Sequence, residues 1–299
     1  VPDDEFWAAR FEEYRLRLRA VAYRMLGSFA EADDALQETW LRVARAGGDD
    51  VANIGGWLTT IVSRQCLNML RARSNRREDP LDVRMPDPVV ESDDASDPAE
   101  QSAAVDSVGL ALLAVLETLD PAERLAFVLH DMFAVPFDEI AAMVERTAAS
   151  PRQLASRARR KVQGTRPDQR PDRARQREIV DAWLTAARGG DFDRLVELLH
   201  PDVVLRVDTG GAGSKLVQGA TAVAGQATAF RAGNVRESFA LVNAGPGIVA
   251  TLNGRLAAIQ ALAVTQGLVS EINILSDPQR LASLHLDGGQ YSTGSSHWE

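Results

Sequence analysis

Cys66 is the only cysteine in the 299-residue chain, so no disulfide and no cysteine-based metal site can form within it. It falls in an apolar helical pattern and reads as a buried structural thiol. Lysine is nearly missing: of 33 basic residues, only Lys161 and Lys215 are lysine. The rest are arginine, whose planar fork suits bidentate phosphate and base contacts, although a GC-rich genome produces the same excess. No apolar run comes near the ~20 residues that a membrane-spanning helix needs. Residues 1–11 are acidic and amphipathic, unlike a signal peptide, so cytoplasmic residence is expected. Four histidines, His130, His200, His285 and His297, are scattered without partners at ligand spacing, so neither a metal nor another cofactor is expected.

The net charge of −9 argues superficially against nucleic acid as a partner, but its distribution does not. Residues 1–77 are net +1, residues 78–100 net −8, residues 101–164 net −1, residues 165–177 net +3 and residues 178–299 net −4. One short stretch therefore supplies nearly all the acidity. That stretch also holds Pro80, Pro86, Pro88 and Pro98, so it reads as a linker without a core of its own. It is either an inert tether or a phosphate mimic competing for the arginines on either side.

Hydrophobic periodicity divides the rest. Residues 1–77 read as successive helices: the first carries Trp7, Phe11 and Leu18, the second runs from about Ala30 to Ala46, and the third from about Gly56 to Arg73. Residues 101–164 are helical again. Asp120 is expected to cap a helix that opens on Pro121, and Pro136 precedes a short helix over 137–144. The last helix starts either after a Thr147 cap or at Pro151 after Ser150. Residues 165–177 form a basic linker. Residues 178–286 open with two helices and continue in alternating or β-branched runs with Asn253-Gly254 as a hairpin signal, an α+β pattern. Residues 287–299 form a Gly/Ser-rich tail.

A short helix, a tight turn and an arginine-rich helix over 137–161 make a helix-turn-helix. Leu154, Ala158 and Val162 are spaced to pack inward. Arg152, Gln153, Ser156, Arg157 and Arg160 occupy the remaining face, where arginine suits guanine and glutamine suits adenine. Arg159 and Lys161 are placed to clamp phosphates. The alternative is an ordinary solvated helix. In the first segment, Arg64, Arg71, Arg73, Arg76 and Arg77 gather toward the end of the third helix, with Trp57, Thr60 and Ser63 earlier on it. Aromatic and basic side chains together suit unpaired bases on a held backbone, and a core role for Trp57 is the alternative.

Asp33–Leu41 (DDALQETWL) resembles the region 2 signature of sigma-70 factors, and Trp57–Val62 (WLTTIV) the minus-10 recognition helix that follows it. Leu119–Arg124 (LDPAER) and Arg152–Arg159 (RQLASRAR) resemble region 4 of the extracytoplasmic-function group (group IV), with no region 3 between. Leu199–Val203 (LHPDV), Ala244–Gly247 (AGPG) and Ser276–Leu281 (SDPQRL) resemble a SnoaL-type domain, the cone of the nuclear transport factor 2 superfamily. The chain is thus identified as a member of the sigma factors with a fused SnoaL-like domain, the SigJ-type subgroup. The resemblance implies two all-α sigma domains plus an α+β SnoaL-like cone.

It also implies an alternative sigma factor rather than an enzyme, with RNA polymerase core and promoter DNA as partners, no membrane, and a monomer when free. Asp33, Asp34, Gln37, Glu38 and Leu41 would meet the polymerase clamp helices. Asn53 and the Trp57 helix would read the minus-10 strand, and the Arg152–Lys161 face the minus-35 element. In the subgroup the C-terminal domain is thought to replace a separate anti-sigma protein. Its linker motif Trp-Leu-Pro-Glu-Pro corresponds here to Arg84-Met85-Pro86-Asp87-Pro88, and its Asp-Gly-Gly-Gly motif to Asp208-Thr209-Gly210-Gly211. The candidate regulatory residues are Pro86, Asp87, Pro88, Asp208, Gly210 and Gly211. A cone that binds or converts a small molecule, with His200 and Asp208 as an acid–base pair, is the alternative.

Overall fold

The computed structural model describes residues 4–46, 51, 53–76, 84–91, 110–144, 149–163, 173–211, 213–229, 235–243 and 245–284. Arg77, the Glu145–Thr147 turn, Arg166, Arg170, Ala244, His285, His297 and the 287–299 tail lie outside the described residues. The chain forms two compact units, Val1–Glu78 with Val115–Thr165, and Asp79–Ala114 with Arg166–Glu299.

In the first unit, α1 (Asp4–Leu26), α2 (Phe29–Ala46) and α3 (Ile54–Arg76) pack pairwise against one another. Trp7, Phe11, Leu18, Val21 and Met25 of α1 face inward at helical spacing, as do Ala32, Ala35, Leu36 and Val43 of α2. Gly27 ends α1 with φ of +72°, the left-handed conformation that closes a helix most cheaply without a Cβ. α3 buries Leu58, Val62, Cys66, Leu67 and Leu70. Burial raises the Cys66 thiol from 9.0 to about 12. The folded thiol stays protonated where the unfolded one ionises, so its contribution to stability is complete below pH ~9 and falls as pH rises toward 12. Native protein at pH 8 is expected to resist a thiol reagent such as Ellman's, and to react only in denaturant. Rapid labelling of the native chain would contradict this burial.

Among the described residues, four helices continue the unit's helical run: α4 (Leu110–Glu117), which straddles the boundary, α5 (Pro121–Phe127), α6 (Phe137–Val144) and α7 (Ala149–Gln163). Pro121 stands at the first helical position, but the Asp120 side chain makes no capping hydrogen bond, contrary to the expected aspartate cap. A π-helical turn, Val128–Met132, continues α5. α7 begins at Ala149, between the two starts the sequence allows, so Pro151 lies in the first turn, where its missing N–H breaks no intrahelical bond. The two helical modules of the sequence reading share one unit, with α3 packed on α5 and α6.

Among the described residues the second unit holds a seven-stranded sheet in the order β1-β4-β5-β6-β7-β2-β3. Its strands are β1 (Val90–Glu91), β2 (Leu199–Asp208), β3 (Lys215–Gln218), β4 (Val235–Val242), β5 (Gly245–Leu252), β6 (Arg255–Thr265) and β7 (Leu268–Leu275). All neighbours are antiparallel except β2 and β7. α8 (Arg173–Gly189), α9 (Phe192–Leu198) and α10 (Ala220–Ala229) enclose a core with the sheet that includes Trp183, Leu184, Val203, Leu205, Ile248, Leu262 and Ile272. α11 (Pro278–Ser283) follows β7, with Asp277 accepting from the N–H groups of Gln279 and Arg280. Asn253 and Gly254 both have positive φ, as a type I′ hairpin turn requires. The acidic segment departs from a free tether: Met85–Pro88 are buried and β1 pairs with β4.

Candidate nucleic-acid interface

On α7, Leu154, Ala155, Ala158 and Val162 pack inward, as their i, i+4, i+8 spacing dictates. Gln153, Ser156, Arg157 and Arg160 are exposed and make no ion pair among the described residues. Arg152 is exposed, with its guanidinium 5.7 Å from the ring centre of Phe137, which fixes the stem without closing off the charge. The two phosphate candidates are tethered. Arg159 donates to Asp131 at 2.9 Å, and Lys161 donates to the buried Glu123 carboxylate, also at 2.9 Å. The α7 face therefore offers four free polar side chains flanked by three with local partners.

α3 is less open. Asn53 accepts from the Gly56 N–H at 2.9 Å and so caps the helix. Trp57 is half-buried, its ring centre 5.5 Å from that of Trp7. Thr60 returns its hydroxyl to the Gly56 carbonyl. Arg64 donates to the Ala142 carbonyl at 2.7 Å, while Arg71 is exposed. Two candidates are corrected. Ser63 and Arg73 are buried, and Arg73 is ion-paired with Glu31. Thr59, Ser63, Cys66, Leu70 and Arg73 follow one helical stripe, the signal that separates Arg73 from its basic neighbours.

On α2, Asp34, Gln37, Glu38 and Leu41 recur at i, i+3, i+4 and i+7 on one exposed face, opposite the buried Leu36 and Val43. Asp33 is exposed beside them and takes two hydrogen bonds from Arg19, at 2.7 and 3.1 Å. The arrangement is an acidic surface with an apolar tip, suited to a basic partner.

In the second unit, residues 84–91 are held by a buried charge cluster centred on Arg280. Its guanidinium donates to Asp87 Oδ1 from Nε at 2.8 Å and from Nη2 at 2.5 Å, to Asp208 Oδ2 at 2.6 Å and to the Met85 carbonyl at 2.5 Å. Asp208 also accepts from the Met85 N–H at 2.9 Å and from the Gly210 N–H at 3.0 Å. Asn243 and Val89 exchange two more bonds, of 2.8 and 3.0 Å. Pro86 and Pro88 bring no N–H groups, so this segment can be buried with few donors to satisfy. Burial alone would lower the Arg280 pKa, but Asp87, Asp208 and Asp277 outweigh it and hold it above its ordinary value. Gly210 has φ of +76°, and a Cβ there would fall 2.3 Å from Asp277 Oδ2, so this position demands glycine. Gly211 has open space around it and carries no such demand. Sequence reading missed Arg280, Asn243 and Met85 as members of this site, although Arg280 stands in the SDPQRL motif.

The sequence matches a family model for Sigma-70 region 2 over residues 10–76 and one for Sigma-70, region 4 over residues 109–162. It is 43% identical over 205 residues to "ECF RNA polymerase sigma factor SigJ" of Mycobacterium tuberculosis, an alignment covering 68% of this chain and 65% of that protein. It is 34% identical over 283 residues to the "Probable ECF RNA polymerase sigma factor SigI" of the same species, covering 94% and 97%. Among solved structures, the crystal structure of M. tuberculosis SigJ matches with a TM-score of 0.68 at 34% identity, covering 91% of this chain and 97% of that one.

Proposed function

The chain belongs to the extracytoplasmic-function RNA polymerase sigma factors, and from that premise we propose that it directs promoter-specific initiation under the control of its own C-terminal SnoaL-like domain. α2 docks on polymerase through Asp34, Glu38 and Leu41, α3 meets the minus-10 strand, and α7 enters the major groove at minus-35. Its partners are core polymerase and promoter DNA, which places its action in the cytoplasm. The observation that carries this reading is the outward face of α7, where Gln153, Ser156, Arg157 and Arg160 stand free over an inward-packed apolar stripe. Run-off transcription tests it directly: core polymerase with the full chain is expected to initiate at defined promoters, and core alone is not. No specific transcript in a screen of genomic fragments would defeat the assignment.

Arg157→Ala is expected to weaken minus-35 binding by about 1–3 kcal/mol and to relax specificity at one base pair. Fluorescence anisotropy on matched and mismatched duplexes checks it, and unchanged affinity would mean that the helix faces DNA differently.

Regulation runs through the linker. Residues 84–91 join the two sigma regions, and Arg280 fastens them into the C-terminal domain, so the clasp limits how far region 4 can travel from region 2. A fully extended chain spans at most ~3.6 Å per residue, and fixing eight residues removes that stretch from the available reach. Catalysis by the cone has less support. His200 and Asp208 lie eight residues apart on β2, on the order of 25 Å along a strand. His200 Nδ1 accepts from the Asp202 N–H, and Asp208 is engaged with Arg280 and Met85.

A further inference from the structure

Within the first unit, the two DNA-reading modules meet. α5 and α6 pack on α3, the helix assigned to the minus-10 strand. Arg64 is occupied by the carbonyl of Ala142, near the C-terminal end of α6, where the helix dipole favours a cation. A cavity of about 280 Å³ lies against the start of α3, lined on one side by Tyr14, Asn53 and Thr59 and on the other by Phe133, Pro136 and Glu139. Asn53, the candidate base reader, therefore faces region 4 residues.

Charge holds this contact. Glu117 and Arg124, from α4 and α5, are buried against the α1–α2 corner. Arg124 donates to Glu117 at 2.9 Å and to the Arg24 carbonyl at 3.2 Å. Arg73 of α3 stands 3.6 Å from the other Glu117 oxygen and pairs with Glu31 of α2. A Cβ on Gly27 would fall 2.2 Å from Glu117 Oε1, so the corner leaves room for this carboxylate only because it is glycine. The Arg24 guanidinium lies 4.8 Å from the ring centre of Phe133. Glu31, Arg73, Glu117 and Arg124 form an alternating, charge-balanced chain between the modules, which satisfies groups that would be costly to bury singly.

We propose that region 4 is an intramolecular inhibitor of the minus-10 reader: in the free chain α5 and α6 cover the start of α3, and the Glu31–Arg73–Glu117–Arg124 clasp keeps that cover closed. This rests on α3 as the minus-10 helix and goes beyond control by the C-terminal domain, because every group involved lies in the first unit. Polymerase binding would then have to open the clasp before a melted strand reaches Asn53 and Arg64. If the closed form outnumbers the open one by about ten to one, apparent affinity for single-stranded DNA falls about tenfold.

The test uses the full chain carrying Leu16→Cys and Asp138→Cys, both at exposed positions, with spin labels on the two new thiols and buried Cys66 left unlabelled. Glu117→Ala removes the shared carboxylate. Phe133→Ala, a second variant, removes the ring beside Arg24 without cutting an ion pair. Pulsed electron paramagnetic resonance reads the label separation, and anisotropy reads binding of a mixed-sequence 12-nucleotide single strand. The expected result is a longer label separation and on the order of tenfold tighter binding than the parent. Separation without tighter binding would overturn the occlusion, and an unmoved label distance in both variants would overturn the clasp. Absence of run-off transcription by the unsubstituted chain is a different failure, that of the sigma assignment.

Discussion

Arg280→Ala is expected to destabilise the second unit by about 3–5 kcal/mol, the usual cost of stranding a buried charge. The Arg280 side chain is 18% exposed, and its partners Asp87 and Asp208 are 4% and 8% exposed. Without the guanidinium, two carboxylates face each other with little water, and the Met85 carbonyl loses its donor. Arg280→Lys is expected to recover only part of the loss, because an ammonium cannot reproduce the forked contacts to Asp87, Asp208 and Met85 at once. Hydrogen exchange at the Val89 and Asn243 amides checks this locally, since both protect β1 against β4. Undiminished protection of those amides in the alanine variant would show that Arg280 does not fasten the linker. If the linker restrains the two sigma regions, the same variant is expected to change the yield of run-off transcription.

The other large effect concerns polymerase. Reversing two charges with Asp34→Lys and Glu38→Lys is expected to weaken capture of core polymerase on the order of 30-fold or more, the scale of losing a central interface contact. Like charges brought together also slow the encounter, so the loss should deepen at low salt. Both side chains are exposed on α2, so thermal stability should change little. Duplex binding through α7 should stay as it was. Co-elution with core polymerase is the measurement, and an unaltered complex would mean that another surface meets the clamp.

Much of the fold was readable because punctuation framed it. Pro136 set the start of the helix over Phe137–Val144, and turns bounded Val235–Val242 and Leu268–Leu275. β3 was not readable: four residues of alternating partial burial beside a Gly-rich loop give too short a pattern. α10 was missed for a related reason, since its alanine, glycine and threonine composition has little amphipathic contrast. On α7 and α2 the expected split into an exposed polar face and an inward apolar stripe was legible from periodicity. Periodicity was set aside on α3, where counting arginines put Arg73 with Arg71 although the helical stripe turns it inward. The linker misled most. Its acids and prolines indicated chain without a core, yet Asp87 finds Arg280 193 residues away, a partner that no local window contains.

One strand has an awkward origin. β1 completes the edge of the C-terminal sheet, but its residues, Val90 and Glu91, come before region 4 in the polypeptide. A protease that cut anywhere between 164 and 172 would sever the chain without freeing the tail piece, because the upstream fragment would still be stitched into the downstream sheet. Grafting this domain onto another sigma factor would likewise take two insertions, one at the C-terminus and one in the interior.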